Sequence, residues 1–145
     1  MTSFETPFEI GKAQVFWHSE APQAAIIATG SLLHHALLAA RELESKGVAV
    51  SVVNVHTIKP LDRETILAES RRAGAVVTVE EHQIAGGLGS AIAELLASDF
   101  PVPIEFIGVH DQFGQSGTPE ELYEHYGMGV SHIVAAVEKV ISRKK

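Results

Sequence analysis

Val48-Ala49-Val50-Ser51-Val52-Val53-Asn54-Val55 is the stretch on which the fold turns. A strand with one wet face would carry a polar residue at every second position. Here valines fall on both alternations, which marks a strand buried on both faces of a parallel sheet. Reading upstream, Gly47 is a stop signal for a helix over residues 32–46. Leu33, Ala36, Leu37, Ala40 and Leu43 recur there at three- and four-residue spacing. Leu32, Leu38 and Ala39 widen the apolar surface, so this helix is expected to pack on its sheet and on something else. Reading downstream, Pro60-Leu61-Asp62 turns the chain into a second helix over residues 63–73, with Asp62 placed to cap its first turn.

The same alternation continues outward in both directions. Ala24-Ala25-Ile26-Ile27-Ala28 is an apolar strand closed by Thr29-Gly30-Ser31. Before it, residues 13–17 form a short strand, Ser19-Glu20-Ala21-Pro22 a turn, and residues 1–12 an extended lead-in. After the second helix, residues 75–79 form another buried strand. Gly86-Gly87-Leu88-Gly89 then leads into a helix near residues 90–97, followed by a strand over 104–109. Thr118-Pro119-Glu120-Glu121 places Thr at the cap, Pro at the first helical position and Glu at the third, a capping box for a short helix ending before Gly127. The last helix, residues 130–142, turns Val130, Ile133, Val134, Val137 and Ile141 to one side. Strands alternating with helices predict right-handed crossovers and a three-layer α/β fold. Its five-stranded sheet is mostly parallel, with helices on both faces. The link from Trp17 to Ala24 is too short for a crossover, so the first strand is expected to be an antiparallel edge.

At 145 residues the chain fits one domain, over residues 13–145. A net charge of −7 argues against nucleic acid and anionic membrane as partners, since both call for a basic face. The only basic cluster, Arg143-Lys144-Lys145, is read as complementing the carbonyl end of a helix. The absence of cysteine excludes disulfides, thiolate–zinc sites and thiol nucleophiles, and suits a cytoplasmic protein. No apolar run approaches the ~20 residues of a membrane span, and Met1-Thr2-Ser3-Phe4-Glu5 does not read as a signal peptide.

Ligands of open α/β sheets bind beyond the carboxyl ends of the strands. His56, His82 and His110 fall at such ends, with Glu80, Glu81 and Asp111 beside two of them. Histidines and carboxylates together suit zinc or acid–base work. Their spacing matches no metal motif, and strand order decides whether the ends meet. Loop histidines that bond backbone or line a contact with another domain are the favoured reading. Gly86-Gly87-Leu88-Gly89-Ser90 suggests either an anion site at a helix start or glycines that permit close packing, and the second is preferred. It matches neither the dinucleotide fingerprint nor a P-loop. Thr29-Gly30-Ser31 needs no role beyond capping the next helix. His34-His35 lies within a helix and reads as structural or surface. No Gly-x-Ser-x-Gly elbow supports a serine triad.

Several segments in matching order resemble the C-terminal domain of the transketolase group. They are Pro7-Phe8-Glu9-Ile10-Gly11-Lys12-Ala13, Ala28-Thr29-Gly30-Ser31 and Val55-His56-Thr57-Ile58-Lys59-Pro60-Leu61-Asp62. Val79-Glu80-Glu81-His82, followed by Gly86-Gly87-Leu88-Gly89-Ser90-Ala91, continues the match. Phe113-Gly114-Gln115-Ser116-Gly117-Thr118-Pro119-Glu120-Glu121-Leu122 with Tyr126-Gly127 completes it. Singly each piece is weak, and in register they are specific. The last segment looks more like transketolase, particularly its split two-subunit kind, than 1-deoxyxylulose-5-phosphate synthase. The 2-oxoacid dehydrogenase β-subunits rank third.

The resemblance implies an enzyme that uses thiamine diphosphate and magnesium to move a two-carbon ketol unit between sugar phosphates. It also implies that both cofactors are held by N-terminal and middle domains, or by a partner subunit, lying outside this sequence. On that reading residues 1–12 are a linker from a preceding domain. The chain itself carries no catalytic, cofactor-binding or metal-binding residue and assembles as a homodimer. His56, Glu81, His82, Gly86, Gly87 and His110 become candidates for a domain interface or substrate entrance. A small-molecule-binding regulatory domain and a metal-dependent hydrolase built on the three histidines are the alternatives from other classes.

Overall fold

A computed structural model describes residues 5–144. Five strands form one sheet in the order β1-β3-β2-β4-β5: β1 (Gln14–Trp17), β2 (Ala24–Ala28), β3 (Val50–Asn54), β4 (Val76–Gln83) and β5 (Ile104–Val109). β1 runs antiparallel to β3, with Gln14 opposite Asn54, and every other neighbouring pair is parallel. The expected three-layer architecture with an antiparallel edge is the one observed.

The predicted double-sided burial of the strand within residues 48–55 holds: all five residues of β3, and all five of the central β2, are buried. Alternate residues feed two separate cores. Ala24, Ile26, Ala28, Val50 and Val52 pack with α1 (Leu33–Ser45) and α5 (Val130–Ser142). Ala25, Ile27, Val53 and Val76 pack on the opposite face with α2 (Arg63–Ala73) and α3 (Leu88–Asp99). α1 packs on α5 as well as on the sheet, while Leu38 stays 40% exposed. None of the helices among the described residues is long and apolar enough to cross a membrane.

Three expectations need correction. β4 does not stop at Val79 but runs on through Glu80-Glu81-His82-Gln83. Beyond Val79 it has lost β2 as a neighbour and is held by β5 alone, with Gln83 opposite Val109. A polar run hides such an extension, because only one side of the strand still has a partner. The basic C-terminus does not serve its own helix. Lys144 Nζ instead donates to the Ala73 carbonyl at 2.6 Å and the Gln23 carbonyl at 2.9 Å, so it complements the end of α2. Arg143 donates to the Ile104 carbonyl at 2.8 Å and to Glu105. Lys145 and residues 1–4 lie outside the described residues. Finally, Thr29-Gly30-Ser31 gives no side-chain cap: Gly30–Leu32 is a 3₁₀ turn leading into α1.

Candidate functional site

The crossover from β2 to β3 runs through α1 on one face of the sheet. The crossover from β3 to β4 runs through α2 on the other, stepping past β2. Adjacent strands β2 and β4 therefore hand the chain to opposite faces, which makes their carboxyl ends the topological switch point where such sheets bind ligands. A cavity of about 420 Å³ opens there, lined by Thr29, Gly30, Ser31, Ile58, Glu80, Glu81, His82, Gly86 and Gly87. The structure thus gathers four of the predicted site residues, Glu81, His82, Gly86 and Gly87, in one place.

The two-residue period of β4 sends consecutive carboxylates to opposite faces. Glu80 shares the alternation of Val76 and Thr78, lies on the α3 side and is 1% exposed. Its Oε2 accepts the Leu88 N–H and its Oε1 accepts the Gly89 N–H, each at 2.7 Å. A carboxylate here satisfies two unpaired donors at the positive end of α3. The glycine cluster exists to admit it. A Cβ on Gly87 would overlap the Glu80 carboxylate, and one on Gly89 would sit 2.8 Å from the Phe106 ring and 2.9 Å from Thr78 Oγ1. Gly86 turns the loop at φ +85. Its N–H is accepted by Ser90 Oγ at 2.8 Å.

Glu81 points the other way. Its Oε2 accepts from the Ser31 hydroxyl, in the turn that starts α1, and from the Tyr123 hydroxyl at 3.1 Å. Tyr123 belongs to α4 (Pro119–His125), some distance along the chain, and its hydroxyl is also 3.3 Å from Ser31 Oγ. Nothing in the spacing around Thr118 shows on which side of the sheet that helix lands, so this contact had no signal in the sequence. The position of Glu80 did have one, since it keeps step with buried residues of its strand.

The start of α3 is therefore met by a carboxylate of the chain itself, and Glu81 sets a second one beside the turn that starts α1. A phosphate or diphosphate brought to them would face like charge, so these residues do not fit a thiamine diphosphate. Among the described residues no group of three or more His, Asp and Glu side chains is placed to hold a metal.

The three histidines do not converge. β2 stands between β3 and β4, so the ends bearing His56 and His82 are about 9.5 Å apart by strand spacing alone. His82 lines the cavity, with Nδ1 2.8 Å from the Gln83 carbonyl and 4.0 Å from Glu80 Oε2. His110 is exposed beyond β5. His56 is half-buried, with Nδ1 2.9 Å from Thr57 Oγ1 and its ring centroid 4.3 Å from that of Phe8.

That ring contact follows from how the lead-in is fastened. The Ala13 N–H donates to Asp62 Oδ2 at 2.8 Å, while Asp62 Oδ1 accepts the Thr65 N–H at 3.1 Å as the expected cap of α2. Burial pushes the Asp62 carboxyl up, but the Ala13 and Thr65 donors outweigh it and hold the group below the usual aspartate range. The lead-in is laid over the loop after β3, leaving Phe8 70% and Ile10 71% exposed. Ile58, at the cavity rim, is 41% exposed.

A family model described as "Transketolase, C-terminal domain" matches residues 11–133. The chain belongs to this family. It is 44% identical over 137 residues to the 6-deoxy-6-sulfo-D-fructose transketolase subunit SqwH of a Clostridium species, covering 94% of this chain and 42% of that one. It is 39% identical over 137 residues to 1-deoxy-D-xylulose-5-phosphate synthase 1 of Geobacter sulfurreducens, covering 93% of this chain and 21% of that one. A solved structure described as a split-gene transketolase, inactive β4 tetramer, superposes with a TM-score of 0.93 at 43% identity, over 99% of this chain and 46% of that one. This transketolase C-terminal domain therefore spans less than half the length of the relatives it matches.

Proposed function

We propose that this chain is the assembly-forming C-terminal part of a transketolase-type transferase, which moves a two-carbon ketol unit between sugar phosphates. The observation that carries this reading is its 44% identity to a transketolase subunit along nearly its whole length. In the complete enzyme, thiamine diphosphate and magnesium are held by N-terminal and middle domains or by a partner subunit, and they supply the carbanion chemistry. This chain supplies packing surface and no catalytic group. The start of α3 agrees with that division, since Glu80 already accepts its Leu88 and Gly89 N–H groups.

The exposed lead-in, with Phe8 against His56 and Ile10 open to solvent, forms with exposed Ile58 the face toward those domains. His82, Glu81, Gly86 and Gly87 at the cavity mouth and His110 beyond β5 extend that face. The working assembly is a homodimer, and its location is the cytoplasm.

A second reading, the corresponding domain of a 1-deoxyxylulose-5-phosphate synthase, is favoured by the 39% identity to such an enzyme. The deciding experiment is ketol transfer from xylulose 5-phosphate to ribose 5-phosphate with thiamine diphosphate and magnesium. It is run on this chain alone and with the missing domains supplied. Turnover only in the reconstituted sample is expected. Turnover by the chain alone overturns the assembly role. Failure of transfer with deoxyxylulose phosphate formed instead selects the second reading.

A further inference from the structure

The segment that follows β5 is built unlike the rest of the domain. α4 buries no residue, yet it carries a complete start signal of its own. Thr118 Oγ1 accepts the Glu121 N–H, and Glu121 accepts the Thr118 N–H at 2.9 Å. The loop before it is tied to the end of the helix, with the Tyr126 hydroxyl donating to the Phe113 carbonyl at 2.9 Å. Phe113 itself is 95% exposed. A helix stabilised from within can move as a unit.

It is attached at its two ends and, between them, through Tyr123 and Glu124, with the Tyr123 and Tyr126 rings resting on the core. At the start, the Gln83 side chain accepts the Asp111 N–H at 2.8 Å and donates to the Gln112 carbonyl at 3.2 Å. At the far end Met128 is buried in the core. Between them, Tyr123 donates to Glu81 and lies beside Ser31, and its ring sits edge-on to His35 with centroids 4.9 Å apart. Glu124 faces His132 of α5 across 3.7 Å. Beneath the helix is a cavity of about 270 Å³ whose walls include Val109, Leu122, Tyr126 and Met128. Glu81 lines this cavity and the switch-point cavity alike.

We infer that residues 111–127 are a hinged flap, latched shut by Tyr123 on Glu81 and Ser31, whose opening bares the apolar groove beneath α4. Because Glu81 borders both cavities, a donor group that reaches it from the switch-point side competes with Tyr123 and favours opening. The inference stands independently of the transferase reading, since it concerns only contacts within this chain.

Hydrogen exchange of the chain, read by mass spectrometry, tests it. Tyr123→Phe keeps the ring and removes the hydroxyl. It is expected to speed exchange of the α4 amides at least about fivefold, as befits loss of a hydrogen bond to a carboxylate, while β2 and β3 amides keep their wild-type rates. Ser31→Ala, which removes the hydroxyl that touches both Tyr123 and Glu81, is expected to speed the same α4 amides, and to add nothing in the Tyr123→Phe background. The chain has no cysteine, so Val109→Cys gives a unique thiol under the flap. Its labelling rate should rise in step with α4 exchange. Unchanged α4 exchange in Tyr123→Phe, or additive effects of the two substitutions, overturns the latch. So does a Val109→Cys thiol whose labelling does not follow α4 exchange.

Discussion

The carboxylate of Glu80 occupies the space that a side chain on Gly87 would need. The pair is mutually dependent: the acid satisfies the first amides of α3, and the glycine lets it approach them. Gly87→Ala is expected to destabilise the fold by about 2 kcal/mol through overpacking. Glu80→Ala leaves the Leu88 and Gly89 N–H groups buried without acceptors, for about 3 kcal/mol. The double variant should cost less than the sum, because the clash disappears with the acid. Urea denaturation of the four proteins measures this. Strict additivity would show that the two residues do not act on each other.

Asp62 predicts a pH dependence. Its carboxyl is held below the usual aspartate range in the folded chain, with burial opposing and the Ala13 and Thr65 donors prevailing. A depressed folded pKa contributes stability that is present above the unfolded value of about 3.9 and is lost as pH falls through the folded value. Glu105, lowered against burial by Lys139 and Arg143, adds in the same direction. Wild type should therefore lose more stability between pH 5 and pH 3 than Asp62→Asn does. At neutral pH, Asp62→Ala should cost about 1–2 kcal/mol as a lost cap. Thermal melts at several pH values decide it, and parallel curves would count against the account.

The capping box of α4 should matter locally and little globally. Thr118→Ala removes an acceptor worth about 1 kcal/mol from a helix that buries no residue. Faster amide exchange over residues 119–125 is expected, with a denaturation midpoint close to wild type. A large midpoint shift would mean that α4 is integral to the core.

The exposed lead-in offers a test of assembly. Phe8→Ser, Ile10→Ser and Ile58→Ser touch side chains that face solvent in this chain, so each should shift its stability by less than about 0.5 kcal/mol. In the reconstituted enzyme the same changes should weaken association and lower turnover together. Variants that assemble and turn over normally would remove this face from the interface. Alanine at His56, His82 and His110 probes the rest of the same face.

Much of the architecture was legible because it follows from local rules. Valines on both alternations of residues 48–55 gave a doubly covered strand, and Asp62 and Thr118 marked helix starts that the structure reproduces. The strand order was not readable, and with it went the question of whether His56 and His82 meet. The Glu81–Tyr123 contact spans 42 residues and depends on where α4 lands. The partners of Lys144, reached across the sheet at Gln23 and Ala73, are of the same kind. Ser31 misled because it lies inside the 3₁₀ turn and not at its cap, with its hydroxyl donating to Glu81 of a neighbouring strand.

The crevice at the end of β2 and β4 is, in effect, a receptor that carries its own ligand. Glu80 fills the start of α3, and Glu81, the next position of the same strand, ties the turn before α1 to α4. Two neighbouring residues of one strand thus set the positions of helices on opposite faces of the sheet.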